Sequence, residues 1–142
     1  MTVVIGYGNP LRGDDGAGPK VAAAVGAVLP ELEVLTPQQL TPELAATLAR
    51  ADLVVFIDAA VGDTPGTVSC DPVRCGEGAW ADHALSPSAL LRLTRDAYGL
   101  EPPAWLVRIH GQGFGLGAEL SAPVVRALPR AIERVHALVR SD

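Results

Sequence analysis

Leu53-Val54-Val55-Phe56-Ile57, followed by Asp58-Ala59-Ala60, is the stretch that decides the fold. Five apolar residues in a row, three of them β-branched, describe a strand covered on both faces, as strands are at the centre of a parallel sheet. Such a strand needs helices above and below it, and the flanking sequence supplies them. Towards the N-terminus, Thr2 to Gly6 is a short β-branched run stopped by glycine. Gly16 to Leu29 carries Val21, Val25 and Val28 at helical spacing before Pro30. Leu32 to Leu35 reads as a second strand, and Thr41 as the N-cap of a helix to about Arg50, with Pro42 in its first turn. Towards the C-terminus, Gly66 to Val73 alternates weakly, as an edge strand does. Ser86-Pro87 opens a helix that closes near Gly99, and Trp105 to Ile109 is a fifth strand. Ser121 opens a last helix with the stripe Val124, Leu128, Ile132, Val135 and Val139, in which Pro129 predicts a kink near Val125.

Strands alternating with helices predict an α/β chain: a three-layer α/β/α sandwich around a mostly parallel, twisted sheet of about five strands. The 142 residues, with no repeat or linker, are expected to form a single domain, 1–142. Aromatic residues are only 4% of the chain, so the core must be aliphatic. The net charge of −5, without a basic cluster, argues against nucleic-acid binding. No apolar run approaches the ~18–20 residues that cross a membrane. The start, Thr2-Val3-Val4-Ile5, lacks a basic leader, and two cysteines do not make a disulfide scaffold, so a cytoplasmic protein is expected.

In a sheet of this kind ligands bind beyond the carboxyl ends of strands where the winding reverses. Two loops qualify: Gly8-Asn9-Pro10-Leu11-Arg12-Gly13-Asp14-Asp15-Gly16-Ala17-Gly18 and Asp58-Ala59-Ala60. If the first and third strands are neighbours, Asp15 and Asp58 converge. Gly6-Tyr7-Gly8 is no dinucleotide fingerprint, since the third glycine would fall at Leu11 and the second strand ends in Leu35-Thr36 without an acid. Asp14, with Asn9, is assigned to helix capping. Asp58 stands at the rim of a buried strand, where a carboxylate must be paired, hydrogen-bonded (to a backbone amide, for instance) or bound to a cation. His83, before the Ser86-Pro87 helix, completes a set of two carboxylates and one imidazole suited to a borderline divalent metal with coordination positions left open. His110 is a weaker site candidate. His136 is placed towards solvent or the flank of the last helix, and Cys70 and Cys75, with four residues between them, read as ordinary thiols.

At these residues the sequence resembles the hydrogenase maturation proteases, the endopeptidases that trim the C-terminus of the [NiFe]-hydrogenase large subunit. The resemblance is carried by Val4-Ile5-Gly6-Tyr7-Gly8-Asn9-Pro10-Leu11-Arg12-Gly13-Asp14-Asp15-Gly16-Ala17-Gly18 and Val54-Val55-Phe56-Ile57-Asp58-Ala59. It continues through Pro65-Gly66-Thr67, His83-Ala84-Leu85-Ser86-Pro87 and Leu120-Ser121-Ala122-Pro123. It implies an α/β/α sandwich whose metal contacts fall on Asp15, Asp58 and His83, which are also the expected catalytic residues. It further implies that nickel is supplied by the substrate, held there by thiolates, and serves as the recognition signal. No tightly bound metal of the protein's own is expected, and the partner is a large-subunit precursor. Members often carry Ile-Glu-Pro or Ile-Gln-Pro where this chain has Ile109-His110-Gly111-Gln112-Gly113, which makes His110 a candidate specificity contact. Two other activities fit the same residues: a non-catalytic metal-dependent binding module, and a hydrolase with its own zinc.

Overall fold

The computed structural model describes residues 1–76 and 85–140. Its five strands are β1 (Thr2–Gly6), β2 (Glu33–Leu35), β3 (Leu53–Val61), β4 (Val68–Val73) and β5 (Ala104–Gly111). They form one sheet in the order β2-β1-β3-β5-β4, parallel except for β4, which runs antiparallel along β5 at the edge. The helices are α1 (Ala17–Val28), α2 (Leu44–Leu48), α3 (Pro87–Tyr98) and α4 (Ala122–Arg140).

The two-sided apolar pattern of β3 shows directly in the packing. Val55, Ile57 and Ala59 face a core closed by α1 and α4, with Val21, Val25, Val124, Ala127, Ala131 and Val135. Val54 and Phe56 face the opposite core, closed by α2 and α3, with Leu48, Leu90 and Leu91. The expected three-layer sandwich with a mostly parallel sheet is therefore the fold observed.

Three local expectations differ. Thr41 does not cap a helix: Leu44, Ala45 and Ala46 donate to the carbonyls of Thr41, Pro42 and Glu43, so tight turns lead into a helix of one to two turns. β3 runs four residues past Ile57, because β5 pairs with it as far as Val61↔Gly111 after β1 has stopped at Gly6↔Ile57. The fully buried line of α4 is Val124, Ala127, Ala131 and Val135, with Leu128, Ile132 and Val139 on its flanks. Small alanines at its centre let the helix approach the sheet more closely than larger side chains would.

α3 is bounded as its sequence suggests. The Ser86 hydroxyl accepts from the Ala89 amide at 3.1 Å, and Gly99 closes the helix at φ 72°.

Candidate functional site

The order β2-β1-β3 places the winding reversal between β1 and β3. The loop beyond β1 carries Asp15, and Asp58 stands on β3 one residue past the last pair with β1, Gly6↔Ile57, where the notional loop of the sequence reading proves to be strand. α1 enters this crevice unusually closely. A Cβ on Gly18 would stand 2.5 Å from the Ile57 carbonyl oxygen and 2.9 Å from that of Tyr7, so only glycine lets the helix seat against the strand ends.

Asp58 lies within β3, on the face of Val54 and Phe56 rather than beyond the strand end. A carboxylate therefore continues an apolar row: its side chain is 17% exposed, and its Oδ2 is 3.8 Å from a terminal nitrogen of Arg108, the residue opposite it on β5. Burial pushes the Asp58 carboxyl up to about 6; Arg108, the Tyr7 hydroxyl and the Ala59 amide oppose that rise, while the charge of Asp15 adds to it. Tyr7 is held in its neutral form, first by burial and then by the Asp58 charge.

Asp15 is half-buried in the tight turn Gly13–Gly16, and its Oδ2 accepts from the Asn9 amide at 2.6 Å. The loop folds back on itself: the Asn9 side chain accepts from the Leu11 amide at 2.9 Å, so Asn9 caps a turn and not a helix. Both residues border the Tyr7-Gly8 turn: Asp58 stands one residue past the last β1–β3 pair, Gly6↔Ile57, and Asp15 lies close over Gly8.

Asp14 does not cap α1, whose N-cap residue Gly16 receives no side-chain hydrogen bond. It is fully buried and accepts four hydrogen bonds from residues far along the chain. The Gln112 and Gly113 amides reach it at 2.8 and 3.0 Å, and the Ser121 amide and hydroxyl at 2.7 and 2.8 Å. Burial alone would raise its pKa, but the backbone donors of Gly113, Ser121 and Gln112 outweigh burial and hold the carboxyl below its ordinary value. Asp14 thus ties the loop after β1 to the loop after β5 and to the start of α4, and fixes the base on which Asp15 stands.

His83 lies outside the described residues. The segment 77–84 containing it is flanked by Gly76, whose amide donates to the Ser88 carbonyl at 3.2 Å, and by Leu85, buried in the α2–α3 core. Among the described residues, no three His, Cys, Asp or Glu side chains are placed to hold a metal ion. His110 sits one row beyond Arg108 on β5, opposite Ala60, and its ring packs over Gly62, where there is no room for a Cβ. Cys70 pairs with Val107 on β4 and packs into the α1–α4 core, on the face away from Asp58; burial pushes its thiol up, with Arg134 opposing. Both thiols are free. Of the two places expected for His136, it takes the flank of α4: its Nε2 is buried, and its ring lines a groove between α1 and α4.

Two residues of the crevice escaped the sequence reading, Tyr7 and Arg108. The signal for Arg108 was present: a guanidinium within the otherwise apolar run Trp105 to Ile109 must have a reason to be there.

Comparison with solved structures bears on the fold. The chain superposes on a hydrogenase maturating endopeptidase from Escherichia coli with a TM-score of 0.84 at 24% identity, over 99% of this chain and 93% of that one. It superposes on a [NiFe] hydrogenase maturation protease from Thermococcus kodakarensis with a TM-score of 0.77 at 24% identity, over 99% and 92% of the two chains. For a hydrogenase 2 maturation peptidase from a Thaumarchaeota archaeon the values are 0.75 at 22% identity, over 100% and 99%. At these identities the likeness is one of fold. No family model matches the chain, and no curated protein sequence does. Among the described residues, no helix is long and apolar enough to cross a membrane.

Proposed function

We propose that this chain is an endopeptidase that removes the C-terminal extension of a nickel-loaded [NiFe]-hydrogenase large-subunit precursor, with Asp15, Asp58 and His83 as the residues that meet the substrate's nickel. The observation that supports the reading is the winding reversal between β1 and β3, beside which the Asp15 loop and Asp58 both stand. The sequence signature around both residues supports it, as does a fold shared along nearly the whole chain with proteins named as maturation proteases.

The chemistry is consistent with a metal that arrives on the substrate. Two carboxylates and an imidazole, with no thiolate among them, hold a free borderline metal only modestly and leave positions open. They add donors to a nickel ion whose remaining ligands are substrate thiolates. The contact then places the substrate's tail over the crevice, where the scissile bond is held in register.

The test is incubation with nickel-loaded precursor, read by mass spectrometry. Loss of the tail mass with the unsubstituted protein, and its retention with Asp58→Asn or His83→Ala, is expected. Tight association without a change of mass would make the chain a binding module. One zinc per chain surviving dialysis against chelator would make it a zinc hydrolase.

A further inference from the structure

The register of the sheet lines up one row on the α2–α3 face at the mouth of the crevice. Asp58 on β3 is opposite Arg108 on β5, which is opposite Ser69 on β4, while Tyr7 follows β1 on the other side of Asp58. Arg108 is the cation of that row, and its position is unusual. Its side chain is 42% exposed, and its nearest carboxylate oxygen among the described residues, on Asp58, is 3.8 Å away, beyond hydrogen-bond length. Its Nε is buried with no acceptor among the described residues. A buried guanidinium N–H normally finds an acceptor, and an arginine–carboxylate pair normally closes to a bidentate geometry. Here the pair is loose, on a half-exposed side chain free to move away.

We propose that Arg108 is a specificity residue that holds the Asp58 carboxylate as a placeholder cation and so excludes free divalent metal from the crevice, yielding only to a metal delivered on the substrate. The inference rests on the reading of Asp58 as a metal contact. A free metal ion entering beside Asp58 would meet the Arg108 charge within a few ångströms, with no further contacts to offset moving it. At the effective dielectric of a protein rim, that repulsion weakens binding by well over tenfold. A metal held by a docked precursor meets the same charge, but the remaining contacts of the precursor compensate for moving the arginine aside. The loose geometry makes this displacement cheap, because no hydrogen bond to Asp58 has to be broken. The device keeps the two acids from collecting stray metal while leaving them open to a loaded substrate.

The experiment is calorimetric titration of nickel chloride, in a non-coordinating buffer at low ionic strength, into the unsubstituted protein, Arg108→Gln, Arg108→Lys and the double variant Arg108→Gln/Asp58→Asn. Glutamine keeps much of the stem and removes the charge, while lysine keeps the charge. Arg108→Gln should bind nickel at least tenfold more tightly than the unsubstituted protein, Arg108→Lys should stay weak, and the double variant should lose the gain. Equal affinity of Arg108→Gln and the unsubstituted protein would overturn the proposal, as would a gain that persists without the Asp58 carboxylate. Precursor cleavage by the unsubstituted protein is measured separately. Cleavage without the affinity gain sinks the role of Arg108 alone. The affinity gain without cleavage sinks the protease reading and leaves the exclusion of free metal standing.

Discussion

Replacing Asp14 by Asn keeps the shape of the side chain and reverses half of its hydrogen-bonding sense. Three backbone amides and one hydroxyl converge on the two carboxylate oxygens, so an amide nitrogen there would face donors. Bonds to a charged acceptor are worth about 1.5–3 kcal/mol each, and their loss in a buried site is incompletely offset. Asp14→Asn should therefore cost about 3 kcal/mol or more in chemical denaturation. A loss below 1 kcal/mol would show that the loops are tied together by other means. Asp58 has the opposite character. Its folded pKa, near 6, lies above the ordinary carboxylate value, so the folded state binds the proton more tightly than the unfolded state does. Its contribution to stability is fully present below about pH 4 and is lost as pH rises to about 6. Asp14, with a lowered pKa, contributes stability above the ordinary carboxylate range and loses it as pH falls through its folded value. At pH 7.5, Asp58→Asn should fold normally and be more stable than the unsubstituted protein by about 1–2 kcal/mol, a part of what two pKa units are worth. The same comparison at pH 4 should show no gain. A gain equal at both values would refer the effect to packing and not to charge.

At the scale of elements, α1 packs tightly where β1 ends beside Ile57 of β3. Gly18→Ala would push a methyl group against two strand carbonyls, both of them backbone atoms that cannot turn aside. The helix must shift, at about 2–3 kcal/mol. Because the loop that carries Asp15 leads into α1, activity should fall more than stability alone explains, and a variant stable to within 0.5 kcal/mol would show that the seat is not tight. Ser86→Ala should cost about 1 kcal/mol through loss of the cap. The contrast between α3 and α2 marks what the sequence could show. Ser86-Pro87 is a local signal and was legible, as was β3, whose apolar character requires only that both faces be covered. Thr41-Pro42 carries the same local signal, yet the chain spends those residues on turns and leaves α2 with five residues. The extension of β3 past Ile57 was hidden because its cause is β5, some fifty residues away. Asp14 was misread for the same reason: its donors lie 98 to 107 residues downstream, beyond the reach of any local rule. The switch point beside Asp15 and Asp58 was legible because its position follows from strand order, which short right-handed connections constrain.

For the whole molecule, the sheet separates two aliphatic cores, each closed by helices and built without a metal ligand. The fold should therefore stand without metal: the melting temperature in excess chelator should match that in buffer, and a marked fall would reveal a resident ion. On the proposed function, the metal belongs to the encounter with the precursor. On that reading Asp15, Asp58 and His83 would supply at most a few donors, and an arginine stands beside Asp58, so nickel would be held poorly without the precursor. A precursor that carries nickel brings most of the coordination sphere with it. A nickel-free precursor brings a tail but no anchor, and leaves the paired acids without the cation that would draw them to it. A displacement of ~1 Å at the reacting atoms can cost on the order of a hundredfold in rate, so loss of the anchor should nearly abolish processing. Incubated side by side and followed by mass spectrometry, nickel-loaded precursor should be trimmed and nickel-free precursor should not. Equal trimming of the two forms would show that the protein reads the tail sequence alone, and the metal contact assigned to the three residues would have to be withdrawn.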